Sequence, residues 1–210
     1  MSVFATLGPE TGNHAFVLRR YLDAHGLMPG AQILLFEDFH AGARAVERGE
    51  ADFMLQCAAH PYVPAITGTY RQTVMAVDAF VSPSQAMALV RMRTPPRPDS
   101  ESVTAPRAPC AAERVGVQPA TACYADLGAW RTVVHEPTVT HVQEGLLEGR
   151  YGAGIVFSAW AQRMDDRVEC VSQIGTVCDA WILFGRERVD AGQSLVWTSS
   201  PVSRRFRAPA

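Results

Sequence analysis

The chain has 210 residues, 48% of them hydrophobic, and a formal net charge of -2. That supplies enough apolar side chain for one domain or two small lobes around a buried core. The near-balanced charge argues against a general nucleic-acid or membrane-surface binder. No apolar run approaches the roughly 20 residues a membrane span needs. The start, MSVFATLG, lacks the basic and apolar regions of a secretory leader. Five cysteines without a CxxC pair read as reduced thiols, and a cytoplasmic location is the expectation. The six histidines show neither HExxH nor a Cys/His ligand spacing, so no metal site is expected. Arg204, Arg205 and Arg207 form the one basic cluster and read as a solvated terminus.

Taken in chain order, VFATLG reads as a short buried strand. HAFVLRRYLDAHG follows as a helix, with Phe16, Leu18, Tyr21 and Leu22 near helical spacing and Gly26 as its stop. AQILLFED is a second strand, and FHAGARAVERGEA a second helix capped by Asp38 and ended at Gly49. ADFMLQCA is a third strand. This β-α-β-α-β order predicts a parallel sheet covered by helices. HPYVPAITGTYRQ, rich in Pro, Gly and Thr, reads as a long surface loop. MAVDAFVS and QAMALVRM are two further strands, and residues 94–113 read as a mobile loop. RVGVQPATACYADLGAW then repeats the opening: a strand, a Pro/Thr turn and a helix. TVVHEPT is strand-like, THVQEGLLEGRYG a helix, AGIVFS a strand and AWAQRM a short helix. The chain returns through one last strand, Ala180 to Gly185, and the pattern dissolves from about residue 187.

Two β-α-β-type halves, joined near residues 78–84 and 171–180, predict an α/β fold of two lobes. The first lobe takes about 1–80 plus 172–186, the second about 81–171, with 187–210 as a tail. Ligands of open α/β sheets lie outside the carboxyl ends of the strands, here in the cleft between the lobes. A single-sheet α/β domain is the alternative.

The candidate site residues follow from that geometry. The turn Thr11-Gly12-Asn13-His14 joins the carboxyl end of the first strand to the start of the first helix. A helix start presents unpaired N–H groups and the positive end of the dipole, and Gly12 permits close approach, so the turn reads as an anion site. QPATACY occupies the equivalent place in the second half, putting Thr121 and Ala122 at a second helix start. Two such turns facing across a cleft would suit a dicarboxylate; the competing reading is that these residues only cap their helices. Gln56 and His60, at the end of the third strand, and Ser158, at the end of AGIVFS, are further polar candidates. His14 is the favoured titrating group, with a pKa that the helix start should lower. Trp181 would wall a ring, or belong to the core. Cys57 reads as a small buried hydrophobe, and His25 and His40 as helix-end residues.

LGPETGNHAF looks like the GPEGT-type opening of the prephenate dehydratase catalytic domain. AVERGEADF and QEGLLEGRYGAGIVFSAWA resemble later segments of that family, in the right order, over residues 4 to about 186. The resemblance implies a two-lobed fold of the periplasmic-binding-protein type II kind. A dehydratase carries Thr-Arg-Phe on its last strand to handle the departing hydroxyl and the substrate carboxylate. Here the run is Asp179-Ala180-Trp181, followed by ILFG, and the dehydratase Glu-Asn-Ser segment is replaced by Gln56-Cys57-Ala58-Ala59-His60-Pro61. A Trp followed by an LFG-type run resembles the non-aromatising prephenate decarboxylases, such as the one of bacilysin biosynthesis.

That resemblance implies cofactor-free decarboxylation of prephenate or a related cyclohexadienyl carboxylate in a specialised biosynthetic pathway. His14 and His60 would be catalytic. Thr11, Gly12, Asn13, Gln56, Thr121, Ala122, Ser158, Asp179 and Trp181 would bind substrate. The partners expected are a small-molecule carboxylate and a second copy of the chain in a homodimer, without nucleic acid or membrane. A non-catalytic module for small anions and a divergent dehydratase are the competing readings, since fold does not fix function.

Overall fold

A computed structural model of the chain describes residues 1–93 and 113–203. The mobile loop expected at 94–113, except Glu113, and the basic cluster at 204–207 lie outside the described residues. β1 (Val3–Leu7), α1 (Asn13–Ala24), β2 (Gln32–Phe36), α2 (Phe39–Arg48) and β3 (Phe53–Cys57) follow one another as the sequence predicts. β1 lies between β2 and β3, parallel to both. β1 and β3 are covered on both faces, which is why they read as unbroken apolar runs rather than as alternating ones. On one face Phe4 and Leu55 pack with Leu18 and Leu22 of α1. On the other Ala5, Leu7 and Met54 pack with Phe39, Ala43 and Val46 of α2.

Local signals set the helix ends. Asp38 accepts the Ala41 N–H at 2.8 Å and so caps α2. Gly49 ends α2 in the left-handed region, at φ 79°. The segment expected as a surface loop contains a helix, α3 (Val63–Thr69). Pro64 falls in its first turn, where a missing N–H costs nothing. Ile66 and Tyr70, one turn apart, are buried in the α2-side core and anchor it.

The first sheet is completed by β4 (Met75–Pro83) and β10 (Cys178–Gly185), giving the order β2-β1-β3-β10-β4. β10 runs antiparallel to both neighbours and pairs Trp181 with Cys57. The second sheet has the order β7-β6-β8-β5-β9, with β5 (Met87–Met92), β6 (Arg114–Val117), β7 (Thr132–His135), β8 (Ala153–Phe157) and β9 (Val168–Gly175). α4 (Val139–Leu147) and α5 (Ser158–Arg163) pack on it. β9 was not expected. It is an edge strand, mostly exposed, so it carries no apolar alternation to read.

QPATACY was expected to open a helix like α1. It forms instead a six-residue 3-10 helix, Pro119–Tyr124. Buried Tyr151 anchors the second lobe: glycines at 116 and 145 leave the space its ring fills, since a Cβ at either position would run into it. Its hydroxyl donates to the buried carboxylate of Glu136, which also pairs with Arg150.

Two short segments, residues 84–86 and 176–177, cross between the sheets. They are tied to each other: Ser84 N–H donates to the Val177 carbonyl at 2.8 Å, and Val177 N–H donates to the Ser84 hydroxyl at 2.9 Å. The first crossing is also tied to the turn before α1. Gln85 N–H donates to Asn13 Oδ1, and the Gln85 side-chain amide donates to the Thr11 carbonyl, both at 3.0 Å.

Candidate functional site

The carboxyl ends of β1, β3, β6 and β8 converge on a cleft between the two sheets. The first-lobe wall is made by Leu7, Gly8, Gly12, Asn13, His14, Cys57, Ala59 and His60. Asp179 enters from β10 just past the second crossing. Met87, Gln118, Ala120, Tyr124, the segment Pro137–Thr140 and Phe157 make the opposite wall.

Gly12 stands at the cap position of α1, and no side chain caps this helix. Its N–H donates to the Pro9 carbonyl at 2.8 Å. A Cβ at Gly12 would stand 2.9 Å from that same oxygen, so glycine is required by the close approach. The N–H groups of the first turn of α1 have no side-chain cap.

His14, in that turn, sits among ring edges. Its ring centroid is 5.1 Å from Phe39, 5.2 Å from Trp181 and 5.8 Å from His60. Nε2 accepts the Cys57 N–H in a long bond of 3.4 Å, which places the ring proton on Nδ1. Burial, and secondarily His60, lower the His14 pKa to about 3. Burial also lowers that of His60. Both imidazoles are neutral at neutral pH and act through hydrogen bonds, not charge.

The opposite wall rests on the start of α4. Thr138 caps it, accepting the His141 N–H at 3.2 Å. Thr140 lines the cleft, and its hydroxyl oxygen is buried without a hydrogen-bond partner. The chain has no lysine, and no described arginine lines the cleft. Its one acid among the described lining residues, Asp179, has a pKa raised by burial. The Tyr124 hydroxyl is raised too, by burial first and then by the Asp179 charge. Burial raises the Cys57 thiol to about 11, so it is no nucleophile at neutral pH.

Of the residues singled out from sequence, Gly12, Asn13, His14, His60 and Asp179 line this cleft. The others stand apart from it. Thr11 is exposed, and its carbonyl serves the Gln85 tie. Gln56 is fully buried in β3 with neither amide atom partnered. Thr121 donates its hydroxyl to the Gln118 carbonyl at 2.8 Å and only closes the 3-10 turn. Ala122 packs on the second-lobe core. Ser158 starts α5 with its hydroxyl buried and unpartnered. Trp181 is fully buried and backs His14 rather than facing the space. Reading the sequence missed Gln118, Tyr124 and Thr140. Thr138 before an apolar helix was a usable cap signal for the α4 start that carries Thr140; nothing marked Tyr124.

A two-lobed α/β protein with its ligand space between the lobes is the class this architecture defines. No protein-family model matches the chain, and no curated protein matches it. Among solved structures, a prephenate dehydratase from Arthrobacter aurescens in complex with L-Phe aligns with a TM-score of 0.58 at 16% identity. The alignment covers 91% of this chain and 63% of that one. The periplasmic VFT2 domain of Bordetella pertussis BvgS aligns with a TM-score of 0.50 at 12% identity, over 88% of this chain and 80% of that one. The fold is thus that of the prephenate dehydratase catalytic domain and of periplasmic binding domains.

Proposed function

We propose that the chain is a cofactor-free decarboxylase that acts on prephenate or a related cyclohexadienyl carboxylate and does not aromatise the ring. The observation that supports this most is the charge-poor lining of the cleft: neutral imidazoles, no described cation, and a carboxyl group at the position matched to the dehydratase threonine. A ring carboxylate held there has lost water without gaining a counter-charge, and release as CO2 relieves that state. The bond from ring carbon to carboxylate breaks, its electron pair enters the adjacent ring alkene, and the far alkene carbon takes a proton. In this reading the Tyr124 hydroxyl, on the second-lobe wall, gives it. The first-turn N–H groups of α1 hold the side-arm carboxylate. Asp179, when ionised, has no proton for the ring hydroxyl, so hydroxide stays on the ring.

The test is prephenate with purified protein and no cofactor, following released CO2, the ultraviolet spectrum and the product. CO2 without phenylpyruvate at pH 8 is expected. Phenylpyruvate should then appear as the pH is lowered and Asp179 takes a proton, and Asp179→Asn should remove that pH dependence. Phenylpyruvate as the main product at pH 8 would make the protein a divergent dehydratase. Saturable protection from thermal unfolding without turnover would make it a small-anion binding module.

A further inference from the structure

The first crossing between the lobes changes sides within a single peptide link. Gln85 is bonded to the first lobe: its N–H donates to Asn13 Oδ1 and its side-chain amide donates to the Thr11 carbonyl, both at 3.0 Å. Ala86, the next residue, is bonded to the second lobe. Its carbonyl accepts the Ser158 N–H at 2.8 Å, and Met87 then pairs with Phe157 and Gly175. The second crossing divides in the same way. Gly175, at φ 79°, belongs to the second lobe through Met87, while Val177 belongs to the first through its two bonds to Ser84, the residue after β4. Thr176 stands between them. The pivot for any change in the angle between the lobes is therefore the Gln85–Ala86 link and Thr176, and turning there leaves the bonds of Gln85 intact.

We infer that Gln85 is a positioning residue, a strap that holds the turn before α1 to the inter-lobe crossing and so fixes the first-lobe wall of the cleft relative to the pivot. The turn it grips leads into Gly12, Asn13 and His14, all of which line the cleft. The bond to Asn13 also orients that side chain. A backbone N–H faces only an acceptor, so Oδ1 is turned to the crossing and the Nδ2 donor is the end of the amide left for the cleft. The bond to Thr11 spans 74 positions of the chain and is made by a side chain, so it can be removed without touching the backbone. Gln85 is not among the described residues that line the cleft, so it acts through the turn. The consequence for binding rests on the proposed function, which puts a carboxylate at the start of α1; the strap itself rests on the two bonds alone. A turn that spends part of its time unaligned binds in proportion to its aligned fraction.

The experiment compares the full chain with Gln85→Met, which keeps the length of the side chain and removes its donor, by hydrogen exchange without ligand and by calorimetry with phenylpyruvate. The reporters of the turn are the Gly12 N–H, bonded to the Pro9 carbonyl, and the Phe16 N–H, bonded to the Gly12 carbonyl. In the variant their exchange should quicken about fivefold, the ratio one neutral hydrogen bond is worth, while the amides of β6 and β8 exchange as in wild type. Phenylpyruvate should bind about fivefold more weakly, with the melting temperature falling only slightly. Exchange at the turn that matches wild type overturns the inference. So does quickening of the same size in both lobes, which would make Gln85 a general fastening between them, and so does phenylpyruvate bound equally by both proteins. The two proposals fail separately. Quickening confined to the turn, with no phenylpyruvate bound by either protein, keeps the strap and removes the carboxylate at α1. Decarboxylation of prephenate with unchanged exchange at the turn keeps the reaction and removes the strap.

Discussion

The two sheets repeat one pattern, with β1 between β2 and β3 and β6 between β7 and β8, yet they hand opposite helices to the cleft. In the first lobe the helix after the central strand, α1, opens on the cleft with no side-chain cap. The next helix, α2, is shut by Asp38, whose carboxylate answers both the orphan N–H and the dipole. In the second lobe the first helix has shrunk to the 3-10 turn at Pro119–Tyr124, which satisfies itself through Gln118 and Thr121. There the next helix, α4, opens on the cleft. Its cap is the neutral hydroxyl of Thr138, which leaves the positive end of the dipole uncompensated. Equivalent position in a repeat therefore does not give equivalent chemistry; whether the helix start is already satisfied decides it.

The sharpest way to probe the open first-lobe start is to titrate the ring it carries. Burial holds His14 at about 3, against an ordinary value of 6.5. Between those values the folded chain binds fewer protons than the unfolded one. Stability is complete above about 6.5 and is lost as the pH falls toward 3, by a few kcal/mol over the whole window. His60 acts in the same direction and Asp179, raised, in the opposite one. His14→Gln keeps an acceptor for the Cys57 N–H but does not titrate. Urea unfolding between pH 7 and 4.5 should show wild type losing clearly more stability than the variant. Parallel curves would mean that the ring is hydrated and that His14 is not the buried, neutral imidazole described above.

On the second-lobe side, Thr140→Val asks whether α4 faces a ligand. The Thr140 hydroxyl is already buried without a partner, so an isosteric methyl should leave the melting temperature unchanged or slightly higher. Affinity for a carboxylate probe such as phenylpyruvate should fall by about tenfold, the worth of one hydrogen bond to a charged group. A fall in stability with no change in affinity would instead give α4 the self-satisfied character of the 3-10 turn.

What the sequence revealed divides along the same line. Strands β1 and β3, the caps at Asp38 and Gly49 and the turn at Gly12 were legible, because each rests on neighbours a few residues away. The crossings lie at residues 84–86 and 176–177, where joints near 78–84 and 171–180 were expected; the second was blurred because β9 carries no apolar alternation. The contribution of α4 and Tyr124 was not legible, because it depends on which surfaces the two sheets turn toward each other. Gln56 was misplaced, and Trp181 was left open between ring wall and core, for a related reason: strand alternation gives the face of a sheet, but only tertiary packing shows whether that face is core or cleft. Thr121 was misread because QPATACY has a good helix-start composition, and nothing local says that the helix stops after six residues.

Thr121→Val is the smallest and most selective test of the contrast. The hydroxyl donates to the Gln118 carbonyl, and that carbonyl also accepts the Thr121 N–H at 2.8 Å, so it stays satisfied when the hydroxyl is removed. The side chain is 7% exposed, so valine fits without stranding a polar group in the core. The cost should be about 1 kcal/mol or less, read as a small drop in urea midpoint at constant slope. Ligand affinity should not change. The two threonines then separate: Thr140→Val moves binding and spares stability, while Thr121→Val moves stability and spares binding. A tenfold loss of affinity in Thr121→Val would restore the 3-10 turn as a second anion site, and would require it to open when ligand enters the cleft.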